Sequence, residues 1–266
     1  ISMKNGKRVS LSTRSLEEET GQIILLTDQT ETRRLQEQLS RGQRLSALGR
    51  MVSALAHQIR TPLSAAILYA GHLSERDLTS EQTKRFSQKI VSRLNNLEQQ
   101  VRDMLVFAKG DVTLSDSMTI GSMLEELKIA IDVPLSANQA SLLISNNLSD
   151  TRIVCNSQTM IGALSNLVNN ALQASDMGAN IQLNTRRENN DIVISIEDSG
   201  CGIPENIMQR LQQEEAFVST KSQGTGLGIA VVRAVVKAHQ GEFELVSKEG
   251  RGTQASIKLP CVHAAQ

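Results

Sequence analysis

The sequence predicts an α+β chain: an antiparallel helical hairpin forming a dimeric four-helix bundle, followed by an α/β sandwich. Three observations predict this. Apolar residues at Leu45, Leu48, Val52, Leu55 and Ile59 step by 3, 4, 3 and 4, the spacing of a helical seam. Beyond about Thr113 strands and helices mix without strict βαβ alternation, so one sheet covered by helices is expected. Aromatic residues make up only 2% of the 266, with no Trp and one Tyr, which leaves aliphatic helices as the packing units.

Residues 1–30 read as two strands, roughly Lys7 to Arg14 and Gln22 to Thr27, around the polar turn Glu17 to Gly21. Two strands alone are not stable. The second runs into Asp28-Gln29-Thr30-Glu31 and then into a charged helix, and in this the leader resembles the last hairpin of a PAS sensor domain. Residues 31–110 form the hairpin. Its first helix starts near Glu31 and breaks at Ser74 to Leu78. Thr79-Ser80-Glu81-Gln82 is a capping box that starts the second helix, which carries Phe86, Ile90, Leu94, Leu97, Val101, Met104, Leu105 and Ala108 and stops at Gly110. Two such narrow stripes cannot make an independent core, so two hairpins meeting in a homodimer is the physical solution.

Residues 111–266 are the sandwich. Helices are expected over Ile120 to Asp132, Ser157 to Ser175, after Pro204, and from Gly226 to Gln240. Strands are expected over Ser141 to Asn146, Arg152 to Val154, Asn180 to Arg187, Ile192 to Glu197, Phe243 to Ser247 and Thr253 to Leu259.

Composition excludes several functions. Lys and Arg number 28 against 28 Asp and Glu, so no charge excess is available for phosphate backbones and nucleic acid is not an expected partner. No apolar run approaches the roughly 18 residues of a membrane span. Three cysteines, Cys155, Cys201 and Cys261, lie far apart without a CxxC pair, which suits a reducing cytoplasm. The chain opens Ile1-Ser2 with no charged-then-apolar leader, and the expectation is a piece of a longer protein.

Four groups of residues carry chemistry. His57 follows Leu55 by two and precedes Ile59 by two, so at about 100° per residue it points away from their shared face, into solvent. A lone surface His is ordinarily a solvated position. Here Thr61 lies one turn on, and Pro62, lacking an N–H, kinks the helix after it. Asn166 and Asn170 share a face one turn apart, and their amide oxygens suit a hydrated Mg²⁺ held by few protein ligands. A capping or solvated cluster would look similar, but Asn is a poor helix former and its repeated use inside a helix hints at a role.

Ile192, Ile194, Ile196 and Asp198 alternate onto one strand face, which thus ends in a carboxylate, followed by Ser199-Gly200-Cys201-Gly202. An ordinary turn would read the same way. An inward carboxylate could instead accept the exocyclic amine of adenine. Gly224-Thr225-Gly226-Leu227-Gly228 opens a helix, and its N–H donors suit a triphosphate; Gly250 to Thr253 lies between two strands. Lys221, in the polar stretch before Gly224, is either a solvated loop lysine or a phosphate ligand.

In this order the four groups resemble sensor histidine kinases of two-component systems. Ala56 to Leu63 is similar to their phosphoacceptor box, Asn166 to Ala171 to the N box, and Asp198 to Gly202 to the first glycine box of the GHKL ATP-binding fold. Phe217 to Lys221 is similar to a shortened ATP lid. The resemblance implies an ATP:protein-histidine phosphotransferase using ATP and Mg²⁺. His57 would be the phosphoacceptor, Asn166 and Asn170 the metal ligands, and Asp198, Gly200, Gly202, Lys221, Gly224, Gly226, Leu227, Gly228 and Thr253 the nucleotide site.

It also implies phosphotransfer to an Asp on a response regulator receiver domain, with Thr61 positioning a water for the reverse dephosphorylation. The ATP domain would swing on a linker near Gly110 to Leu114. One departure stands out: the family places an acid after the His, and this chain has Gln58, which can orient the imidazole but cannot act as a base. A nucleotide-binding regulatory scaffold that binds a receiver domain is therefore the alternative. A chaperone- or topoisomerase-type ATPase would have no use for an outward His before Thr61-Pro62. His57-Gln58, the short lid and the PAS-like leader together resemble the cytoplasmic flagellar and nitrogen regulatory branches, whose partners are activators of sigma-54 promoters.

Overall fold

A computed structural model describes residues 9–15, 22–50, 52–74, 78–109, 114, 116–213, 215–219 and 226–261. The chain divides into two compact units, Ile1–Arg50 and Met51–Gln266.

In the first unit β1 (Val9–Ser15) and β2 (Gln22–Asp28) pair antiparallel, with Ser15 opposite Gln22 and Val9 opposite Asp28. The turn expected at Glu17 to Gly21 lies outside the described residues. The Asp28 carboxylate accepts the backbone N–H of Thr30 at 3.0 Å and its hydroxyl at 2.6 Å, so β2 leads at once into α1 (Thr30–Arg50). All of β2 is exposed, including Ile23, Ile24, Leu25 and Leu26.

The second unit begins with α2 (Val52–Leu73) and α3 (Ser80–Lys109), which pack along each other. The single helix expected from Glu31 is thus described as α1 and α2, on either side of Met51, which lies outside the described residues. Pro62 stands inside α2 without ending it. The capping box is formed as expected: Gln82 N–H donates to Thr79 Oγ1 at 3.2 Å, and Thr79 N–H donates to Gln82 Oε1 at 2.9 Å. Of the break expected at Ser74 to Leu78, the ends are described and 75–77 are not. Gly110 and most of the expected linker also lie outside the described residues.

The α/β part contains β3 (Asp116–Thr119), α4 (Ile120–Ala137), β4 (Ser141–Asn146), β5 (Arg152–Cys155), α5 (Ser157–Ala174), β6 (Asn180–Glu188), β7 (Asp191–Asp198), α6 (Glu205–Gln212), α7 (Gly228–Ala238), β8 (Glu242–Lys248) and β9 (Gly252–Pro260). Five strands form one sheet in the order β4-β6-β7-β9-β8, antiparallel except for β4 with β6. Ile192, Ile194 and Ile196 of the central β7 lie opposite Leu259, Ile257 and Ala255 of β9. All six are buried, beneath α5 and α7, with α4 packed beside α5 over β4.

Three elements depart from expectation. β3 is an additional strand, pairing antiparallel with β5; its Asp-Ser-Met-Thr sequence lacks the apolar alternation that marks a strand. α4 continues past Asp132 through Pro134 to Ala137. Proline there removes a bond only in the last turn, and Asn138 closes that turn with its side-chain Nδ2 donating to the Pro134 carbonyl at 2.8 Å. α7 starts at Gly228 rather than Gly226 and ends at Ala238. Among the described residues no helix is long and apolar enough to cross a membrane.

Candidate active site

β7 delivers Asp198 to the end of the buried face, as the alternation predicted, and its side chain is 8% exposed. Register then places Thr253 of β9 opposite Asp198, and Ser247 of β8 opposite Thr253, giving a polar row across three strands. Hydrogen bonds lock the row. Ser247 Oγ accepts Ile203 N–H at 2.9 Å and donates to the Gly252 carbonyl at 3.0 Å, which leaves it to accept the Thr253 hydroxyl at 2.8 Å.

The Asp198 carboxylate accepts Gly200 N–H at 2.9 Å, which turns the chain sharply after β7. Gly252, at φ +94°, lies so close to this strand end that a Cβ would stand 2.0 Å from the Asp198 carbonyl oxygen. The turn through Gly202 is tied on both sides: Cys201 N–H donates to the Ala174 carbonyl at the end of α5, and Gly250 N–H donates to the Cys201 carbonyl. A buried carboxylate beside closely packed backbone fits the amine edge of a flat base.

α5 supplies the second half of the site. Asn156 caps it, accepting Thr159 N–H at 3.1 Å, and the buried His239 at the end of α7 accepts Asn156 N–H at 2.9 Å. Asn166 and Asn170 follow, half-buried on one face. Asn170 borders the start of α7, where a Cβ on Gly228 would lie 3.6 Å from its Nδ2. Phosphates at the start of α7 would thus have the Asn170 amide alongside, and the amide pair offers oxygen donors of the kind that would suit Mg²⁺.

The Leu227 side chain is fully buried, so only its backbone can face a ligand. Gly226, at φ +64°, accepts Phe217 N–H at 3.1 Å, tying the first residue of the expected lid to the glycine run before α7. Lys221 and Gly224 lie outside the described residues.

His57 is exposed on α2, as its spacing predicted. Gln58 is half-buried. The Thr61 hydroxyl donates to the His57 carbonyl at 3.1 Å, binding it to the backbone one turn back. The hairpin meets the α/β layer through α3, which packs on α7.

Two contacts there were not foreseen. Phe107 stands edge-on to Phe217, with centroids 5.9 Å apart and planes at 75°. Asn166 Nδ2 donates to both oxygens of Asp103, at 3.4 and 3.5 Å. Burial raises the Asp103 pKa, against opposing hydrogen bonds from Gln99 and Asn166 and the charge of Arg102. A large aromatic and an acid one turn apart, off the expected seam, were the signal that α3 has a second contact face. Ser247 and His239 carried no motif and could be found only from the fold.

Known proteins match these two regions separately and in the same order. The His Kinase A phospho-acceptor domain matches residues 47–112, and the histidine kinase-, DNA gyrase B- and HSP90-like ATPase family matches residues 156–263. The sensor protein kinase FleS of Pseudomonas aeruginosa is 47% identical over 265 residues, covering 100% of this chain and 65% of FleS. The signal transduction histidine-protein kinase AtoS of Escherichia coli is 26% identical over 244 residues, covering 90% of this chain and 39% of AtoS. The chain therefore spans less than two thirds of the length of either relative. In fold it is similar to the histidine kinase ThkA, solved in complex with the response regulator protein TrrA: TM-score 0.64 at 20% identity, over 99% of this chain and 81% of that one.

Proposed function

Since this chain belongs to the histidine kinase family, carrying both its phospho-acceptor and its ATPase domain, we propose that it phosphorylates itself on His57 from ATP and passes the phosphoryl group to an aspartate of a response regulator receiver domain. The observation that carries this reading is an exposed His57, one turn before Thr61, in the same chain as the Asp198–Thr253–Ser247 row.

In the proposed reaction Asp198 accepts the adenine amine, and the start of α7 holds the phosphates. Asn166 and Asn170 would hold Mg²⁺ through their amide oxygens. A bound divalent cation neutralises charge on the terminal phosphates, and the rest of catalysis is positioning. A His57 ring nitrogen attacks the γ-phosphorus in line. The N–P bond forms as the bond to the β,γ-bridging oxygen breaks, and ADP leaves. The ring proton passes to water, because the Gln58 amide cannot take it. Thr61 serves the opposite step, positioning a water against the regulator's phosphoaspartate, and must first exchange its bond to the His57 carbonyl.

We assign 1–30 to the end of a PAS-like sensor domain, 31–110 to dimerisation and phosphotransfer, and 111–266 to ATP binding. Exposed apolar positions on the hairpin, among them Ile67, Leu68, Val91, Leu94 and Leu105, support a homodimer through a four-helix bundle. We place it, on the resemblance of His57-Gln58, the short lid and the PAS-like leader, in the flagellar regulatory branch, acting in the cytoplasm on a sigma-54-dependent activator. Gln58 favours a second reading, a regulatory scaffold or phosphatase with little forward activity. Incubation with Mg²⁺ and γ-labelled ATP separates the two. Acid-labile, base-stable label that disappears in His57→Ala supports the kinase; tight ATP binding by a folded dimer without label supports the scaffold.

A further inference from the structure

We propose that Asp103 is a positioning residue for the metal subsite, so that the helical hairpin completes a site otherwise built within the ATP-binding domain. The inference rests on the reading of Asn166 and Asn170 as metal ligands. An amide side chain has two chemically opposite ends, and a cation accepts only the oxygen. In α5 nothing in the helix itself decides which end of Asn166 faces the ligand. The Asp103 carboxylate decides it: both of its oxygens lie within 3.5 Å of Asn166 Nδ2, and they would repel Oδ1 from that position. With the nitrogen end held, Oδ1 is turned away from α3. An outer partner that orients a metal-binding side chain is a common feature of such sites, and its loss typically costs about 10- to 100-fold in metal affinity.

The carboxylate is itself fixed. Gln99, one turn earlier on α3, donates from Nε2 to Asp103 Oδ1 at 2.7 Å. One turn later on the same face Phe107, 7% exposed, meets the Phe217 ring. This second contact holds α3 against the segment leading into α7, so Asp103 stays within reach of α5. The negative charge of Asp103 also favours a cation beside Asn166. Occupancy of the metal subsite and docking of α3 therefore support each other, and by reciprocity each strengthens the other equally.

The test is binding of a fluorescent ATP analogue to the full chain, titrated with Mg²⁺ and again with EDTA. Asp103→Ala is expected to leave the affinity in EDTA within about twofold and to weaken the Mg²⁺ dependence about 10-fold or more. Asp103→Asn, which keeps an acceptor oxygen, should recover part of it, and Phe107→Ala should shift it in the same direction as Asp103→Ala. An equal loss in Mg²⁺ and EDTA would mark Asp103 as merely structural and overturn the proposal. Unchanged Mg²⁺ dependence would overturn it too, and so would tighter Mg²⁺ binding in Asp103→Ala, which would make the carboxylate a competitor for Asn166. Absence of nucleotide binding by every form, wild type included, would instead remove the nucleotide-site reading on which the proposal rests.

Discussion

His239 Nε2 accepts the Asn156 backbone N–H at 2.9 Å while Nδ1 lies 2.7 Å from the Val235 carbonyl, so a single neutral tautomer joins the end of α7 to the start of α5. Burial lowers the His239 pKa below 6.5, against the opposing bond to Val235. A His held neutral in the fold takes up its proton more readily when unfolded. Its contribution is thus complete above the unfolded value near 6.5, falls as pH drops below that, and levels off beneath the folded value. Thermal unfolding of wild type from about pH 8 to pH 5 should show this loss. His239→Gln should be less stable at pH 8 by about 1–3 kcal/mol and lack that part of the slope; an unchanged slope would assign the pH dependence elsewhere.

Ser247 joins three partners with one hydroxyl. Ser247→Ala leaves Ile203 N–H and the Thr253 hydroxyl without it, at an expected cost of about 1–3 kcal/mol in denaturant unfolding. Because the row fixes the strand ends beside Asp198, ATP affinity should fall in the same variant, while Ser247→Thr should restore part of both. Unaltered affinity at reduced stability would separate the row from the site.

In the proposed reaction the Gln58 amide cannot take the proton from His57, where a carboxylate at that position could. Gln58→Glu should raise the initial rate of autophosphorylation, up to the roughly 100-fold that a positioned base supplies, with ATP affinity unchanged. A variant no faster than wild type would place the slow step in domain movement instead.

Thr61→Ala removes the hydroxyl now bonded to the His57 carbonyl and leaves a residue of higher helix propensity at an exposed position. Autophosphorylation should persist within about twofold, while loss of phosphate from a phosphorylated receiver domain slows by about 10-fold or more. Equal loss of both would mean that Thr61 shapes the helix around His57.

Local features of the sequence were legible because local physics fixes them. The Thr79–Gln82 box, the outward His57 and the inward Asp198 follow from helix and strand periods alone. β3 was hidden because a partner strand, rather than its own composition, makes it a strand. Pro134 concealed the last turn of α4 because a proline's cost depends on how many bonds follow it. The Asp103–Asn166 and His239–Asn156 contacts join residues far apart in the chain, and no short-range pattern encodes them.

The hydrogen bond from Phe217 N–H to the Gly226 carbonyl holds together two residues nine apart in the chain. A loop that returns to its own starting point can change length without displacing what it connects, since doubling such a loop costs only about 0.6 kcal/mol in closure entropy. Insertions and deletions between the two residues can therefore be accommodated while α7 and Asn170 keep their places. A grafted segment of another length between Phe217 and Gly226 should leave the Asp198–Thr253–Ser247 row and the start of α7 intact.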